Sequence, residues 1–148
     1  MEGQTFSAQV DAWTRKSKAR MEAVAKTATQ ELFIEVLRPV EQGGRMRVDT
    51  GFLRASFQAT LDAPVNLSVE NPDPENGSFD ADIGSISLVI NGAEIGQTIF
   101  GTFTANYARA REYGARGQSP DAFVLTNAQR WPEFVQEAIT QIRSEVES

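Results

Sequence analysis

The amino-acid sequence predicts an α+β fold, with a long N-terminal helix and a C-terminal helix packed on a four-stranded, mainly antiparallel β-sheet. Three observations lead to this prediction. Apolar residues recur at helical spacing over roughly the first 38 residues and again after Asp121. Between these segments, short runs alternate apolar and polar residues, as strands with one buried face do. The length of 148 residues, 41% of them hydrophobic, fits one globular domain spanning residues 1–148.

The N-terminal helix is predicted from about Phe6 to Arg38. Pro39 ends it, because the proline ring disfavours a helical conformation in the residue before it. A helix of about 33 residues is roughly 50 Å long, which exceeds what a small core covers. We therefore expect one end to project or to meet a partner. Its apolar stripe consists of Phe6, Val10, Trp13, Met21, Val24, Ala28, Leu32 and Val36.

A short helical turn and a first hairpin are predicted next. Asp49 or Thr50 can cap the turn by accepting a hydrogen bond from a free backbone N–H. Residues 57–61 and 65–69 then alternate apolar and polar side chains on either side of Asp62-Ala63-Pro64. This pattern predicts two antiparallel strands with one apolar face.

A second hairpin is predicted around Asn91-Gly92, the residue pair preferred in two-residue type I′ turns. Its strands would be residues 86–90 and 93–97. The turn sets the register, so we expect Leu88 to face Ile95 on the apolar side.

The last third of the chain is predicted to be helical. Residues 105–114 form a short helix that Gly114 ends in a left-handed cap. From about Asp121 the chain is helical again. Pro132 kinks this helix or starts a second one, because it lacks the N–H that an interior position needs.

The composition excludes most enzyme chemistry. The chain has no cysteine and no histidine, so it has no disulfide, thiolate nucleophile, Cys/His zinc site or histidine acid–base catalyst. The acids of residues 71–82 do not fit a calcium-binding EF-hand, since Asn76 or Ser78 stands where that loop needs glycine. We expect no catalytic residue, no metal and no cofactor. We also expect no membrane span and no signal peptide.

The net charge of −6 is unevenly distributed. No lysine or arginine occurs between Arg54 and Arg109, whereas that interval holds seven acids, and basic clusters lie on both sides of it. This pattern disfavours a general nucleic-acid binder, which usually carries a continuous basic stripe. The basic clusters are Arg15, Lys16, Lys18 and Arg20 near the start, and Arg109, Arg111 and Arg116 later on.

The later basic cluster lies between Tyr107 and Tyr113 or just beyond them. Arginine and tyrosine can bind nucleic acid by phosphate contact and stacking. They are also the residue types that protein–protein contacts favour, and the arginines could pair with Glu112. We favour an interface or surface cluster over nucleic-acid binding.

Two segments carry a more specific signal. Val48–Ser56 reads VDTGFLRAS, and Tyr107–Gly114 reads YARAREYG. Their order, spacing and position after a long first helix resemble the head–tail joining (tail-completion) family of long-tailed phages, related to the minor tail protein Z of lambda. Family members carry Asp-Thr-Gly, any residue, Leu-Arg in the first segment and Tyr-Ala, a three-residue gap, Glu in the second. The candidate interface residues are Asp49, Thr50, Gly51, Leu53, Arg54, Tyr107, Arg109, Arg111, Glu112, Tyr113 and Gly114.

The resemblance implies a structural, non-enzymatic neck protein of a virion or gene transfer agent. Such a protein forms a homo-oligomeric ring, expected to be a hexamer, that joins the DNA-filled head to the tail. Its partners are head-side connector or stopper proteins and tail-tube or terminator proteins. DNA passes through without sequence-specific binding, and assembly takes place in the host bacterial cytoplasm. A tail-terminator protein that caps the tail tube, and a non-viral soluble adaptor or binding module, remain as alternatives.

The side chains of the first motif fit such a joint. Gly51 can lie where a side chain would collide with close-packed backbone. Phe52 and Leu53 can anchor the turn in the core. Arg54 is expected to face outward or to pair with an acid.

The acidic tract Asn71–Asp82 is predicted to be a mobile loop, since its prolines, glycine and acids leave little apolar surface to bury. It either meets a basic surface of a neighbouring subunit or lines the DNA passage. We favour the passage, because a wall of like charge keeps phosphates from adhering. The acids concerned are Asp73, Glu75, Asp80 and Asp82.

Overall fold

The computed structural model describes residues 5–147 and has an α+β fold, as predicted. Residues 1–4 and 148, which the single-domain prediction includes, lie outside the described residues. Within this part of the chain, a short 3₁₀ turn at Val40–Gln42 accompanies six α-helices and two strands. In chain order these are α1 (Phe6–Leu37), α2 (Phe52–Ala55), β1 (Phe57–Leu61), α3 (Ile83–Asn91), β2 (Ile99–Phe103), α4 (Ala108–Tyr113), α5 (Phe123–Ala128) and α6 (Trp131–Glu147).

Helix α1 has the predicted extent. It begins where the side chain of Thr5 accepts a hydrogen bond from the Ala8 N–H at 3.1 Å. It ends at Leu37, and Arg38 is extended (φ −68°, ψ 123°), as a residue before proline should be. None of the side chains that α1 buries precedes Ala28. The N-terminal half is therefore the end of the helix that the core leaves uncovered.

Helix α6 runs along the second half of α1. Phe134 and Ala138 are buried together with Ala28, and Val24 packs against this cluster. Pro132 is the second residue of α6, where a missing N–H removes no intrahelical hydrogen bond. Proline here starts a second helix, which is one of the two outcomes that the sequence predicted.

The sheet is smaller than predicted. Over residues 5–147 it has two strands instead of four, with β1 and β2 antiparallel and Phe57 opposite Phe103. A row of aromatic rings holds the strands to the helices. Phe33 of α1, Phe57, Phe103 and Phe123 of α5 stack edge to face with ring centroids 5.0 to 5.2 Å apart.

The predicted hairpin around Asn91-Gly92 is wrong, because the whole of its first strand, residues 86–90, lies in α3. Asp82 begins this helix by accepting a hydrogen bond from the Ser85 N–H at 3.0 Å. Ile86 and Ile90, four residues apart, share the buried side, while Leu88 is 75% exposed. Gly92 has a φ of −82°, whereas a type I′ turn needs a positive value there. Leu88 therefore does not face Ile95.

The first predicted hairpin is half correct. Residues 57–61 form β1, but residues 65–69 are not a strand. After Leu61 the chain turns through Asp62, which has a φ of 67°, and leaves the sheet. Beyond this turn, Val69 makes an isolated parallel bridge to Ala105. β1 pairs with β2 instead, since that pairing brings Phe103 into the aromatic row.

The sequence predicted no membrane span. In the region that the structure describes, no helix combines the length and the apolarity that crossing a bilayer requires.

Phe123→Ala should destabilise the fold by about 3–5 kcal/mol, because it removes a fully buried ring from the aromatic row. Phe6→Ala is the matched control, since Phe6 is 82% exposed, and should change stability by less than about 0.5 kcal/mol. Urea denaturation of the two variants measures both values. Equal losses would contradict the position of the core.

Candidate interface site

The two motif segments meet at one cleft with a volume of about 300 Å³. It lies between the turn before α2, the start of α4 and the loop that follows Val69. Seven of the eleven candidate residues line it, and the other four lie on or just after α4, away from the cleft. The seven are Asp49, Thr50, Gly51, Leu53, Arg54, Tyr107 and Arg111.

Gly51 sits where only glycine fits. Its φ is +84°, a conformation that residues with a side chain rarely adopt. A Cβ at this position would also overlap the backbone carbonyl of Phe79. The close-packed backbone that the sequence analysis expected beside Gly51 is therefore the loop around Phe79.

Thr50 holds the turn together. Its hydroxyl accepts hydrogen bonds from the Phe52 N–H at 3.2 Å and from the Asn71 side-chain amide at 3.0 Å. Its carbonyl accepts the Phe79 N–H at 2.8 Å. Asp49 or Thr50 was predicted to accept a hydrogen bond at the start of α2. Thr50 makes this bond, with the Phe52 N–H, whereas Asp49 is exposed at the rim of the cleft.

The acidic tract is attached to this turn at two points, Asn71 and Phe79. The Phe79 ring packs edge to face on Phe52 with a centroid distance of 5.3 Å, so the tract has an apolar anchor that the sequence analysis overlooked. Between the anchors, Asp73 accepts the Asn76 N–H at 3.1 Å. The mobility of the acidic tract in solution stays a prediction.

Asp82 ends the acidic tract as the cap of α3. Hydrogen bonds from the Ser85 hydroxyl and backbone N–H lower the pKa of its carboxyl. Glu75 and Asp80 are exposed in the loop before it.

Arg54 is half-buried and forms no ion pair within the described residues, so of its two predicted arrangements the pairing with an acid is not found. Its Nε donates a hydrogen bond to the backbone carbonyl of Leu37 at 2.8 Å. The last carbonyls of a helix lack intrahelical partners, so this bond satisfies one of them. Leu53 beside it is buried in the core, as predicted. The first motif thereby attaches the end of α1 to the core.

Tyr107 of the second motif packs against the first. Its ring lies 6.4 Å from that of Phe52. Burial raises the pKa of its hydroxyl, Arg111 acts in the opposite direction, and Asp49 adds to the rise. The two motifs thus share both an aromatic contact and an electrostatic one.

Asp121 is a residue beside the cleft that sequence reasoning missed. It is buried and forms ion pairs with Arg47 and, at 3.7 Å, with Arg111. Its backbone carbonyl also accepts a hydrogen bond from Arg45 at 2.9 Å. No local pattern could identify it, because Arg45 and Arg47 lie more than 70 residues away in the sequence.

Glu112 does not pair with the arginines, contrary to one of the expectations. Its carboxylate is buried and accepts hydrogen bonds from the backbone N–H groups of Val124 (2.9 and 3.1 Å) and Leu125 (3.0 Å). A carboxylate suits these unpaired donors at the start of α5. Glu112 therefore positions α5.

The exposed end of the second motif is separate from the cleft. The Arg109 guanidinium stacks over the Tyr113 ring at 5.6 Å. Gly114 has a φ of 82° as predicted, but its ψ of 153° lies outside the left-handed helical region, so the predicted cap conformation is wrong. Arg116 is exposed in the loop that follows.

The charged side chains of the two motifs mainly hold elements of the fold together. Arg54, Arg111 and Glu112 are each engaged in positioning an element of the fold. Across the described part of the chain, no cluster of three or more acids is placed to hold a metal ion. The lining of the cleft mixes charged, polar and apolar side chains.

Comparisons with family models, with curated proteins and with solved structures gave no match to the chain. What can be inferred of its function therefore comes from the motifs and their geometry.

Gly51→Ala should cost far more stability than Gly43→Ala. Both glycines have a positive φ, so each substitution carries a backbone cost of about 1–2 kcal/mol. No atom lies within 4 Å of a Cβ at Gly43, whereas one at Gly51 meets the Phe79 carbonyl and adds about 1–3 kcal/mol. Urea denaturation should resolve the difference. Equal costs would show that the turn and the loop are not in contact.

Tyr107→Phe should reduce the loss of stability at alkaline pH. Burial raises the pKa of Tyr107 above its ordinary value of 10.0. The stability linked to its proton is therefore complete below the unfolded pKa and is lost as the pH rises through the higher folded one. Urea denaturation at pH values from about 8 to 11 measures the slope. Tyr113→Phe, at an exposed position, should keep the wild-type decline, and a decline in Tyr107→Phe as steep as that of wild type would contradict the assignment.

Proposed function

We propose that the chain is a structural neck protein of a tailed particle, a phage or a gene transfer agent, that joins the DNA-filled head to the tail. One observation carries this proposal. The two motifs that resemble the head–tail joining family lie more than 50 residues apart in sequence, yet they line one cleft at the end of the long helix. Short motifs that match by chance would have no reason to converge on one cleft.

The role of each motif residue supports a structural part over an enzyme. Thr50 joins the motif turn to the acidic tract, Arg54 binds the end of α1, and Glu112 begins α5. Arg111 contributes to the buried ion pair with Asp121. Each side chain fixes one element relative to another, and none of these contacts places a nucleophile or an acid–base pair in the cleft.

A ring needs surfaces that remain exposed in the single copy. Phe6, Trp13 and Met21 of α1 are each at least 60% exposed, and large exposed apolar side chains mark interaction sites. We expect the ring to be a homo-oligomer of six copies. On its head side it would meet a connector or stopper protein, and on its tail side a tail-tube or terminator protein. DNA would pass through without being read.

Deleting the gene should leave filled heads and complete tails that do not join, because the proposed joint is missing. Electron microscopy of the particles provides the measurement, and expression of the wild-type chain from a plasmid should restore joined particles. Tails of unequal length would instead favour the alternative role of capping the tail tube. Normal particles would contradict any neck function and favour a non-viral adaptor.

A further inference from the structure

The N-terminal half of α1 extends beyond the helix that packs on it. At the far end of α6, Ile142 and Val146 lie beside Arg20 and Val24 of α1. The residues of α1 before Arg20 continue for about 20 Å past this point. We call residues 6–20 the arm.

The arm is both apolar and basic. Phe6 and Trp13 are 82% and 70% exposed, and Val10 between them is also exposed. Four basic side chains lie on the same segment, all exposed, and within the described residues none of them forms an ion pair. They are Arg15, Lys16, Lys18 and Arg20.

A surface of opposite charge lies in residues 67–82, which we call the acidic surface. It contains no lysine or arginine, and Leu67 and Val69 are exposed among its acids. Within the part of the chain that the structure describes, these acids form no ion pair either. The acids are Glu70, Asp73, Glu75, Asp80 and Asp82, all exposed.

The arm and the acidic surface lie toward opposite ends of the molecule. The acidic surface is attached to the motif turn, which binds the C-terminal end of α1 through Arg54 and Leu37. α3 then leads back along α1, where Ser87 bonds to Gln30 at 2.8 Å and the carbonyl of Asn91 bonds to Lys26 at 2.8 Å. The centre of the arm lies at least 25–30 Å farther along the helix than the start of α3, at 1.5 Å per residue. One copy therefore cannot join its own two surfaces.

We propose that the arm of one copy docks on the acidic surface of the next, in a head-to-tail contact. Trp13 and its apolar neighbours would cover Leu67 and Val69, while the basic side chains of the arm meet the acids. This inference rests on the proposed neck function, because a contact between two different surfaces is what generates a ring. Exposed leucine and valine among the acids fit a protein partner better than the DNA passage that the sequence alone favoured.

Disulfide trapping tests the pairing of the two surfaces. The chain has no cysteine, so Lys16→Cys and Ser78→Cys each introduce a single thiol, one on the arm and one on the acidic surface. Mixed at low salt under mild oxidation, the two variants should give roughly tenfold more crosslinked dimer than either variant alone, since electrostatic complementarity brings the surfaces together. Equal crosslinking by Lys16→Cys alone would show that arms pair with each other and would overturn the proposal. Absence of crosslinks in the mixture would overturn it as well.

Charge reversal tests the electrostatics. Lys16→Glu with Lys18→Glu should weaken self-association roughly tenfold in sedimentation equilibrium, and Glu75→Lys with Asp80→Lys should do the same. A chain carrying all four substitutions should regain the association. The matched control, Arg109→Glu with Arg116→Glu, reverses two charges in the other basic cluster. It should leave self-association unchanged. A loss in the control alone would assign the acidic surface to that cluster and overturn the proposal.

The neck function and the docking of the arm can be overturned independently of each other. Head-to-tail association of the isolated chain together with normal particles after gene deletion would overturn the neck function and retain the docking. Unjoined heads and tails after deletion, with full rescue by the chain carrying Lys16→Glu and Lys18→Glu, would overturn the docking and retain the neck function.

Discussion

The contact between the backbones of Gly51 and Phe79 is the constraint on which the rest of the structure depends. Because Gly51 has no side chain, the loop approaches closely enough for Thr50 to accept the Phe79 N–H. On one side of this contact, the turn directs Leu53 into the core and Arg54 to the end of α1. On the other side, the loop leads directly into α3, whose buried face completes the core. This one close approach between two backbone segments thus aligns α1, α2 and α3.

Sequence reasoning succeeded where the decisive signal was local. Pro39 and Pro132 mark helix boundaries by their own covalent structure, and the structure places boundaries at both. It failed at Asn91-Gly92, where a short apolar run fits both a strand and a helix. The cap at Asp82 and the burial of Ile90 decided for the helix, and the weight of that burial comes from distant parts of the chain.

The same distinction applies to the candidate site. The need for glycine at position 51 could be predicted from the expected close packing of backbone around it, and the carbonyl of Phe79 is the neighbour that a Cβ there would meet. The partners of Arg54, Arg111 and Glu112 could not, because each is a backbone group or buried acid brought close only by folding. Asp121 illustrates the limit, because Arg47, which pairs with it, is 74 residues away in the sequence. The spacing of the motifs located the cleft, but it did not reveal which hydrogen bonds and ion pairs stabilise the residues around it.

The difference in length between α1 and α6 has a mechanical consequence. A helix held from Arg20 onward and free before it is a lever with its pivot near Arg20. Phe6 lies 14 residues from that pivot, about 21 Å along the axis, so a 10° tilt moves it by about 4 Å. A small change of packing at the pivot therefore becomes a large change of reach at the tip. One fold could in this way span gaps of unequal width without rebuilding its core.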